Sequence, residues 1–233
     1  MNMRDVSLTP RIEAVRDGRK IEPPKHFSLN EILEHYKESL SAVKDQYAVA
    51  DEMLKSGNEN GCKMIWRSQV VFAEGLMDFY IHELSKYCLF QMFSGQWEKS
   101  EKYNNFMVPM ARVEEALNAA ESKEWFFEYL NTRLSRECYL ASEMMQDQLN
   151  LIGIGFADVM KSTFSDEDDP VKVGRLKIQG LFKRRNEIAH QNDRSHASAE
   201  QTDITKQYVE EYIASVNAIV LGIHKIAVEK TAE

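Results

Sequence analysis

The sequence predicts an all-α fold, a helical bundle of long antiparallel helices with a shorter helical insertion. Apolar residues recur every three or four positions over several long stretches, which is the pattern of a helix with one buried face. No stretch alternates apolar and polar residues as a half-buried strand does, and no turn pair joins two such runs. With 233 residues, of which 43% are hydrophobic, the chain is long enough to bury a sizeable core.

The chain begins with a segment that lacks sustained helical periodicity. Residues 1–27 contain Pro10, Pro23 and Pro24 among residues of mixed charge. Such composition is typical of an extended or partly ordered arm. We therefore expect an N-terminal arm over residues 1–27 and a helical domain over residues 28–233.

Two long helices are expected next. Ser28 and Glu31 have the spacing of a capping box, and helical periodicity follows as far as about Ser56. After a glycine-containing turn, a second periodic stretch continues to the Ser94-Gly95 pair. The short turn between them predicts that the two helices are antiparallel neighbours.

The middle of the chain predicts shorter elements. Residues 96–136 form the expected insertion, in which Pro109 suits the first turn of a helix. Residues 134–164 are again helix-like, although Gly153 and Gly155 weaken the helix locally. We interpret these glycines as points of close packing.

Two further helices complete the predicted bundle. Asp169 and Pro170 provide a cap and a first-turn proline for a helix that gives way near His190 to a polar stretch. The last helix is strongly amphipathic and is expected over about residues 203–228.

The charge distribution limits how the chain could bind nucleic acid. A net charge of −8 argues against a protein that coats nucleic acid without specificity, because such binding needs a broad basic surface. One local exception runs from Val171 to Arg185, where several basic residues occur without an acidic one: Lys172, Arg175, Lys177, Lys183, Arg184 and Arg185. From charge alone, this run is equally consistent with a solvated helix face and with a local phosphate contact.

The remaining composition indicates a cytoplasmic protein with reduced thiols. No apolar run approaches the roughly 18 residues that span a bilayer, and the polar first residues lack the apolar stretch of a secretory signal. We expect no membrane association. Cys62, Cys88 and Cys138 are scattered and odd in number, which predicts neither a disulfide framework nor a zinc knuckle. No metal or other cofactor is expected.

Residues that could act together on a phosphate lie near the end of the predicted helix that starts at Pro170, between Leu181 and Asn192. Asn186 and His190 are four positions apart and share a helix face, and Arg185 is long enough to reach around to it. Arginine offers a planar fork of donors to phosphate, asparagine orients groups by hydrogen bonds, and histidine transfers protons near neutral pH. These side chains are sufficient to cleave RNA without a metal.

This pattern resembles the Arg-x4-6-His motif of the HEPN superfamily, which has a polar residue after the arginine. The order of elements, with the basic segment Phe182 to Asn186 and a closing amphipathic helix, is similar to the RiboL-PSP-type HEPN domains. The resemblance covers roughly residues 60–228, with the first helix as a possible extension. It implies a small all-α bundle that carries the motif at an end of a late helix.

The resemblance also implies an activity and a partner. Catalytic HEPN proteins are similar to one another in forming homodimers that cleave RNA across the interface, often as toxins or defence effectors restrained by an antitoxin or an activating partner. By this resemblance, His190 is a general acid or base, Arg185 stabilises charge on the phosphorane, and Asn186 holds either His190 or the phosphate. Residues expected to contact the RNA are Lys183, Arg184, Gln191 and Asn192.

Two alternatives of other classes stay open at this point. The chain could be a catalytically silent dimer that docks a protein partner, or an RNA-binding regulator that does not cleave. In both, Arg185 could simply pair with Glu187 or cap the helix end. Asn192 stands where one toxin subfamily has a tyrosine, which argues against control by tyrosine adenylylation.

Overall fold

The computed structural model describes residues 24–118 and 122–231, and over these residues the chain is helical without strands, as predicted. Most of the expected N-terminal arm, residues 1–23, lies outside the described residues. Residues 24–28 are not helical, and the His26 ring stacks on Phe127 with centroids 3.7 Å apart. The last residues before the first helix are thus packed against the bundle.

Eight α-helices and one 3-10 turn at Tyr103–Asn105 form the described part of the chain. The helices are α1 Leu29–Lys55, α2 Glu59–Ser94, α3 Met110–Asn118, α4 Glu124–Leu134, α5 Ser142–Leu151, α6 Phe156–Thr163, α7 Pro170–Gln191 and α8 Lys206–Thr231.

The first two helices form the predicted antiparallel pair. The Ser28 hydroxyl accepts from the Glu31 backbone N–H, and the Glu31 carboxylate accepts from the Ser28 backbone N–H at 2.8 Å, so the capping box is confirmed. Tyr36 contacts Tyr80, with ring centroids 5.8 Å apart, near the start of α1 and late in α2. Gly95 ends α2 at φ 78, a left-handed conformation that glycine adopts without steric strain.

Helix α2 is the central element of the bundle. It is 36 residues long and packs against α1, α4, α7 and α8. Many of its side chains are fully buried, including Val70, Met77, Tyr80, Ile81, Leu84 and Leu89. Because α2 contacts both α7 and α8, it connects the predicted motif to the rest of the core.

The prediction of one helix-like stretch over residues 134–164 is wrong. The chain leaves α4 at Leu134, runs through a turn and an irregular segment to α5, and breaks again between α5 and α6. Gly153 has φ 73, and this left-handed step turns the chain away from the α5 axis. The Lys230 ammonium donates to the Gly153 carbonyl at 3.0 Å, which ties the break to the end of α8.

Helix α8 begins at Lys206, three residues later than predicted, and Thr205 caps its start: the Thr205 hydroxyl accepts from the Tyr208 backbone N–H at 3.2 Å. Asp203 lies before the helix, with its carboxylate 2.9 Å from the Lys63 ammonium on α2. By length and composition α8 is also apolar enough to span a membrane, which the sequence analysis did not single out. Its apolar side chains provide much of the bundle core, with Val209, Val216, Val220 and Ile223 fully buried, so packing within the bundle accounts for its composition.

Candidate active site

Helix α7 carries the predicted motif in its last two turns. Asp169 caps its start by accepting from the Lys172 backbone N–H at 3.0 Å, and Pro170 occupies the first turn, as predicted. The helix ends at Gln191 because Asn192 takes a left-handed conformation, with φ 51, and its N–H donates to the Glu187 carbonyl. Asparagine tolerates this conformation better than most side chains.

Arg185 and Asn186 are directly connected. An Nη1–H of Arg185 donates to the Asn186 side-chain oxygen at 3.0 Å. Both residues are half-buried, and the Nε atom of Arg185 is buried without an acceptor. Asn186 therefore fixes one end of the Arg185 guanidinium, while the Arg185 Nε–H has no acceptor.

His190 lies on the last turn of α7 and is exposed. It shares a helix face with Asn186 and Lys183, since the three are spaced four and three positions apart. Lys183 is exposed over 79% of its side chain, and its nearest carboxylate oxygen, on Glu187, is 3.9 Å away. An imidazole, an amide and an ammonium group thus line one accessible face, although no hydrogen bond joins His190 to Arg185 or Asn186.

The other two predicted RNA contacts, Gln191 and Asn192, are also exposed at the end of α7. Asn192 has a structural role in addition, because it ends the helix and its carbonyl accepts from the Gln201 side chain at 3.1 Å. Their side chains remain available to a ligand that reaches His190.

Arg184, a predicted RNA contact, is paired within the protein. Its guanidinium pairs with both oxygens of Asp193 and lies over the Tyr208 ring of α8, with its central carbon 5.7 Å from the ring centroid. Only 11% of the Arg184 side chain is exposed. This arginine is occupied within the protein, which leaves Lys183 as the accessible cation of the pair.

Asp193 and Arg67 are the residues near the site that sequence reasoning missed. The Asp193 side chain is fully buried, and its Oδ2 accepts from Arg67 Nε at 2.7 Å and from Arg184 Nη2 at 2.9 Å. Arg67 also donates to the Thr202 carbonyl at 2.7 Å. One carboxylate therefore joins α2, the end of α7 and the loop that leads into α8.

Glu74 on α2 is fully buried, whereas His190 of the motif is exposed. Burial raises the pKa of its carboxyl to about 8, against the opposing effects of the Tyr212 hydroxyl and of the Arg185 guanidinium. Neither Glu74 oxygen has a hydrogen-bond partner among the described residues. The buried side of Arg185 thus adjoins an unsatisfied acid.

An exposed apolar stripe runs along α2 beside these residues. It consists of Met64, Phe72, Gly75 and Phe79, and its three side chains are 53%, 63% and 48% exposed in that order. Gly75 follows Glu74 directly, so the stripe is rotated by about 100° from the face of α2 that adjoins Arg185. Among the described residues, no neighbouring atom lies within 4 Å of the position that a Cβ would take at Gly75.

The stripe begins next to the part of α2 that lies near the motif. On α7, Arg184 is directed towards α8 through Tyr208, and Arg185 is turned by about 100° away from it. On α2, Glu74 lies near Tyr212 of α8 and Arg185 of α7, and Gly75 of the stripe is the next residue. Gly75 is therefore one residue away from a side chain that lies near the motif.

A comparison with protein families identifies the domain. The sequence profile of the RiboL-PSP-HEPN family matches residues 30–229. The chain belongs to this family. The match begins near the start of α1, so the first helix is part of the HEPN domain and the resemblance extends beyond the residues 60–228 predicted for it. Neither the curated proteins nor the solved structures include a significant match to the chain.

The HEPN domain carries its Arg-x4-His pattern on the penultimate helix, at the end that leads into α8. Within residues 24–118 and 122–231, no group of three His, Cys, Asp or Glu side chains is arranged to hold a metal ion. The groups available at the motif are donors of hydrogen bonds and protons, of the kind that bind and cleave a phosphodiester.

Proposed function

We propose that this HEPN domain is a metal-independent endoribonuclease that acts as a homodimer in the cytosol, as a toxin or defence effector. The observation that carries the proposal is the exposed His190 on the same accessible face as Asn186, which in turn holds Arg185. Imidazole, amide and guanidinium groups supply proton transfer and anion binding.

The reaction proceeds by internal transfer at one phosphate. The RNA 2′-oxygen forms a bond to phosphorus, the bond from phosphorus to the 5′-oxygen breaks, and the products are a 2′,3′-cyclic phosphate and a 5′-hydroxyl. One His190 takes the proton of the 2′-hydroxyl, and the His190 of the second copy gives a proton to the departing 5′-oxygen. Arg185 stabilises the negative charge that accumulates on the phosphorane.

The dimer is part of this mechanism because each copy contributes a single motif histidine. The α2 stripe is the surface that we assign to the second copy. Its three exposed side chains leave on the order of 300 Å² of apolar area in solvent, a large share of the roughly 800 Å² per partner that a standard interface buries. Since Gly75 of the stripe directly follows Glu74, which lies near Arg185, a two-fold axis through the stripe would bring the two motifs towards each other.

The proposal is tested by incubating the purified protein with mixed cellular RNA in excess EDTA, beside His190→Ala and Arg185→Ala variants. We expect the parent protein to produce fragments with 2′,3′-cyclic phosphate ends. Loss of His190 should reduce the rate by about 10² to 10⁴, as removal of an acid or base does, and loss of Arg185 by about 10² to 10³.

The matched control is His196→Ala, which removes an exposed histidine from the loop after α7 without touching the motif. This variant should cleave at the parent rate. Equal cleavage by the parent and the His190→Ala variant would refute the assignment. RNA binding without cleavage would favour the regulator, and neither binding nor cleavage would favour the protein-docking dimer.

A further inference from the structure

Glu74 is a buried acid without a partner in the part of the chain that the structure describes. It lies on α2 with none of its surface exposed, and both carboxyl oxygens lack a hydrogen bond. Buried polar groups in proteins are almost always paired, so an unpaired buried acid beside a predicted site calls for a functional explanation.

The groups that face Glu74 come from four parts of the chain. They are Tyr212 on α8, Arg185 on α7, Asp78 one turn along α2, and Cys138 in the segment between α4 and α5. Of these, only Arg185 is a cation. Its Nε–H is buried and has no acceptor, and no carboxylate of the described residues lies within ion-pair distance of its guanidinium. An unpaired donor and an unpaired acid are thus both buried, close enough for the guanidinium charge to lower the pKa of the acid but not hydrogen-bonded to each other.

The tyrosine determines which form of Glu74 fits this position. The Tyr212 hydroxyl donates its single hydrogen to the Leu181 carbonyl at 2.9 Å, so a hydrogen bond from Tyr212 to an ionised Glu74 would require that bond to break. Its oxygen can still accept a hydrogen bond. Only the protonated acid can donate that bond, and burial raises the pKa of Glu74 to about 8, which favours the same form at neutral pH.

We propose that Glu74, as a neutral carboxylic acid, positions Arg185 for the RNA phosphate. In this arrangement the carboxyl O–H donates to the Tyr212 oxygen, and the carboxyl C=O accepts from the Arg185 Nε–H. Asn186 holds one Nη of the same guanidinium, so two partners fix its plane and leave the outer N–H groups for the phosphate. The proposal rests on the proposed function of Arg185.

A neutral partner has an advantage over an ionised one at this position. A carboxylate would pair with the guanidinium and compete with phosphate for it, whereas a neutral acid orients the arginine and leaves its charge available. It follows that ionisation of Glu74 at alkaline pH should draw Arg185 into the bundle and weaken RNA binding.

The test measures RNA affinity in a His190→Ala background, where the RNA is not cut. The probe is a labelled single-stranded oligoribonucleotide of mixed sequence, and the variants are Glu74→Gln and Glu74→Ala, each with and without Arg185→Ala. Gln keeps the neutral carbonyl acceptor and should bind RNA within about twofold of the parent at pH 7, whereas Ala should bind about tenfold more weakly. With Arg185→Ala present, Glu74→Ala should have no further effect.

The pH dependence provides a second readout that a merely structural role would not produce. Between pH 7 and pH 9 the affinity of the Glu74 protein should fall, and that of the Glu74→Gln protein should not. Over the same pH range, the thermal unfolding midpoint of the Glu74 protein should fall relative to that of the Glu74→Gln protein. The folded pKa of Glu74 is raised above its unfolded value, so the stability it contributes is complete at low pH and is lost as the pH rises through about 8.

The matched control is Glu83→Gln, at a buried acid on α2 that pairs with Lys86 at 2.6 Å. It should leave RNA affinity and its pH dependence unchanged. If Glu74→Ala leaves the RNA affinity unchanged, or if Glu74→Gln lowers it as much as Glu74→Ala does, the positioning role alone is overturned. Absence of RNA binding in every variant overturns the proposed function and this inference together.

Discussion

Asp193 follows directly on the residue that ends α7, and both take left-handed backbone conformations, with φ 51 at Asn192 and φ 59 at Asp193. These dihedrals turn the Asp193 carboxylate back into the bundle, between Arg67 and Arg184. Two cations around one buried carboxylate satisfy its charge, and they hold the chain in place directly after the last turn of α7, which carries His190.

Replacement of Asp193 by alanine should therefore affect both stability and activity. It leaves Arg67 and Arg184 buried without their acid, and removal of one partner from a buried pair costs about 3 to 5 kcal/mol of folding free energy. We expect that loss in urea unfolding at pH 7, with RNA cleavage reduced more than the folded fraction explains. Asp168→Ala, at an exposed aspartate before α7, is the control and should change neither quantity.

The sequence revealed only part of this residue-level arrangement. Arg185, Asn186 and His190 were found because their spacing on one helix can be derived from the chain alone. Arg67 and Asp193 are 126 positions apart, so nothing local indicates that they meet. Glu74 did leave a signal, because it lies in register with the buried Val70, Met77 and Ile81, and an acid on such a face is unusual.

At the scale of the helices, close packing around α6 depends on two glycines. A side chain at Gly222 on α8 would collide with Thr163, and one at Gly174 on α7 would collide with Met160. Thr163 cannot easily move, because it is β-branched and its hydroxyl donates to the Val159 carbonyl at 2.8 Å. The three helices therefore approach one another where side chains are absent.

The same substitution should have opposite effects at two glycines. Gly222→Ala should destabilise the fold by about 1 to 3 kcal/mol through overpacking. Gly180→Ala, at an exposed helical position with open space around it, should stabilise the fold by about 0.5 to 1 kcal/mol through helix propensity. Denaturant midpoints measure both, and a stabilised Gly222→Ala protein would show that α6 and α8 do not approach as closely as described.

Helix ends were predictable where a single residue caps the helix locally. The starts of α1 and α7 and the ends of α1 and α2 were predicted within a residue or so, because Ser28, Asp169, Ser56 and Gly95 act locally. The break near Gly153 was missed, since glycine is compatible both with a helix and with a turn. Contacts with a residue distant in sequence, Lys230, accompany the turn in the folded chain.

At the scale of the whole molecule, the α2 stripe determines the expected assembly. Phe72→Glu combined with Phe79→Glu places two charges where the proposed second copy binds and should convert the proposed dimer to a monomer that is still folded, because both side chains are exposed. Light scattering measures the mass, and RNA cleavage should be lost with the dimer. Leu54→Glu, at a position on α1 that is 49% exposed, is the control and should remain dimeric. A dimer that persists with both charges would place the interface elsewhere.

The order of the helices has a consequence during synthesis. The carbonyl that Tyr212 contacts, and the acid it adjoins, belong to helices that the ribosome completes before α8 is made. Until α8 docks, water reaches Glu74 and the buried side of Arg185. A nascent chain therefore already contains every residue of the motif without the dry interior that orients it. If the proposed RNA cleavage is correct, translation of this chain need not endanger the message being read.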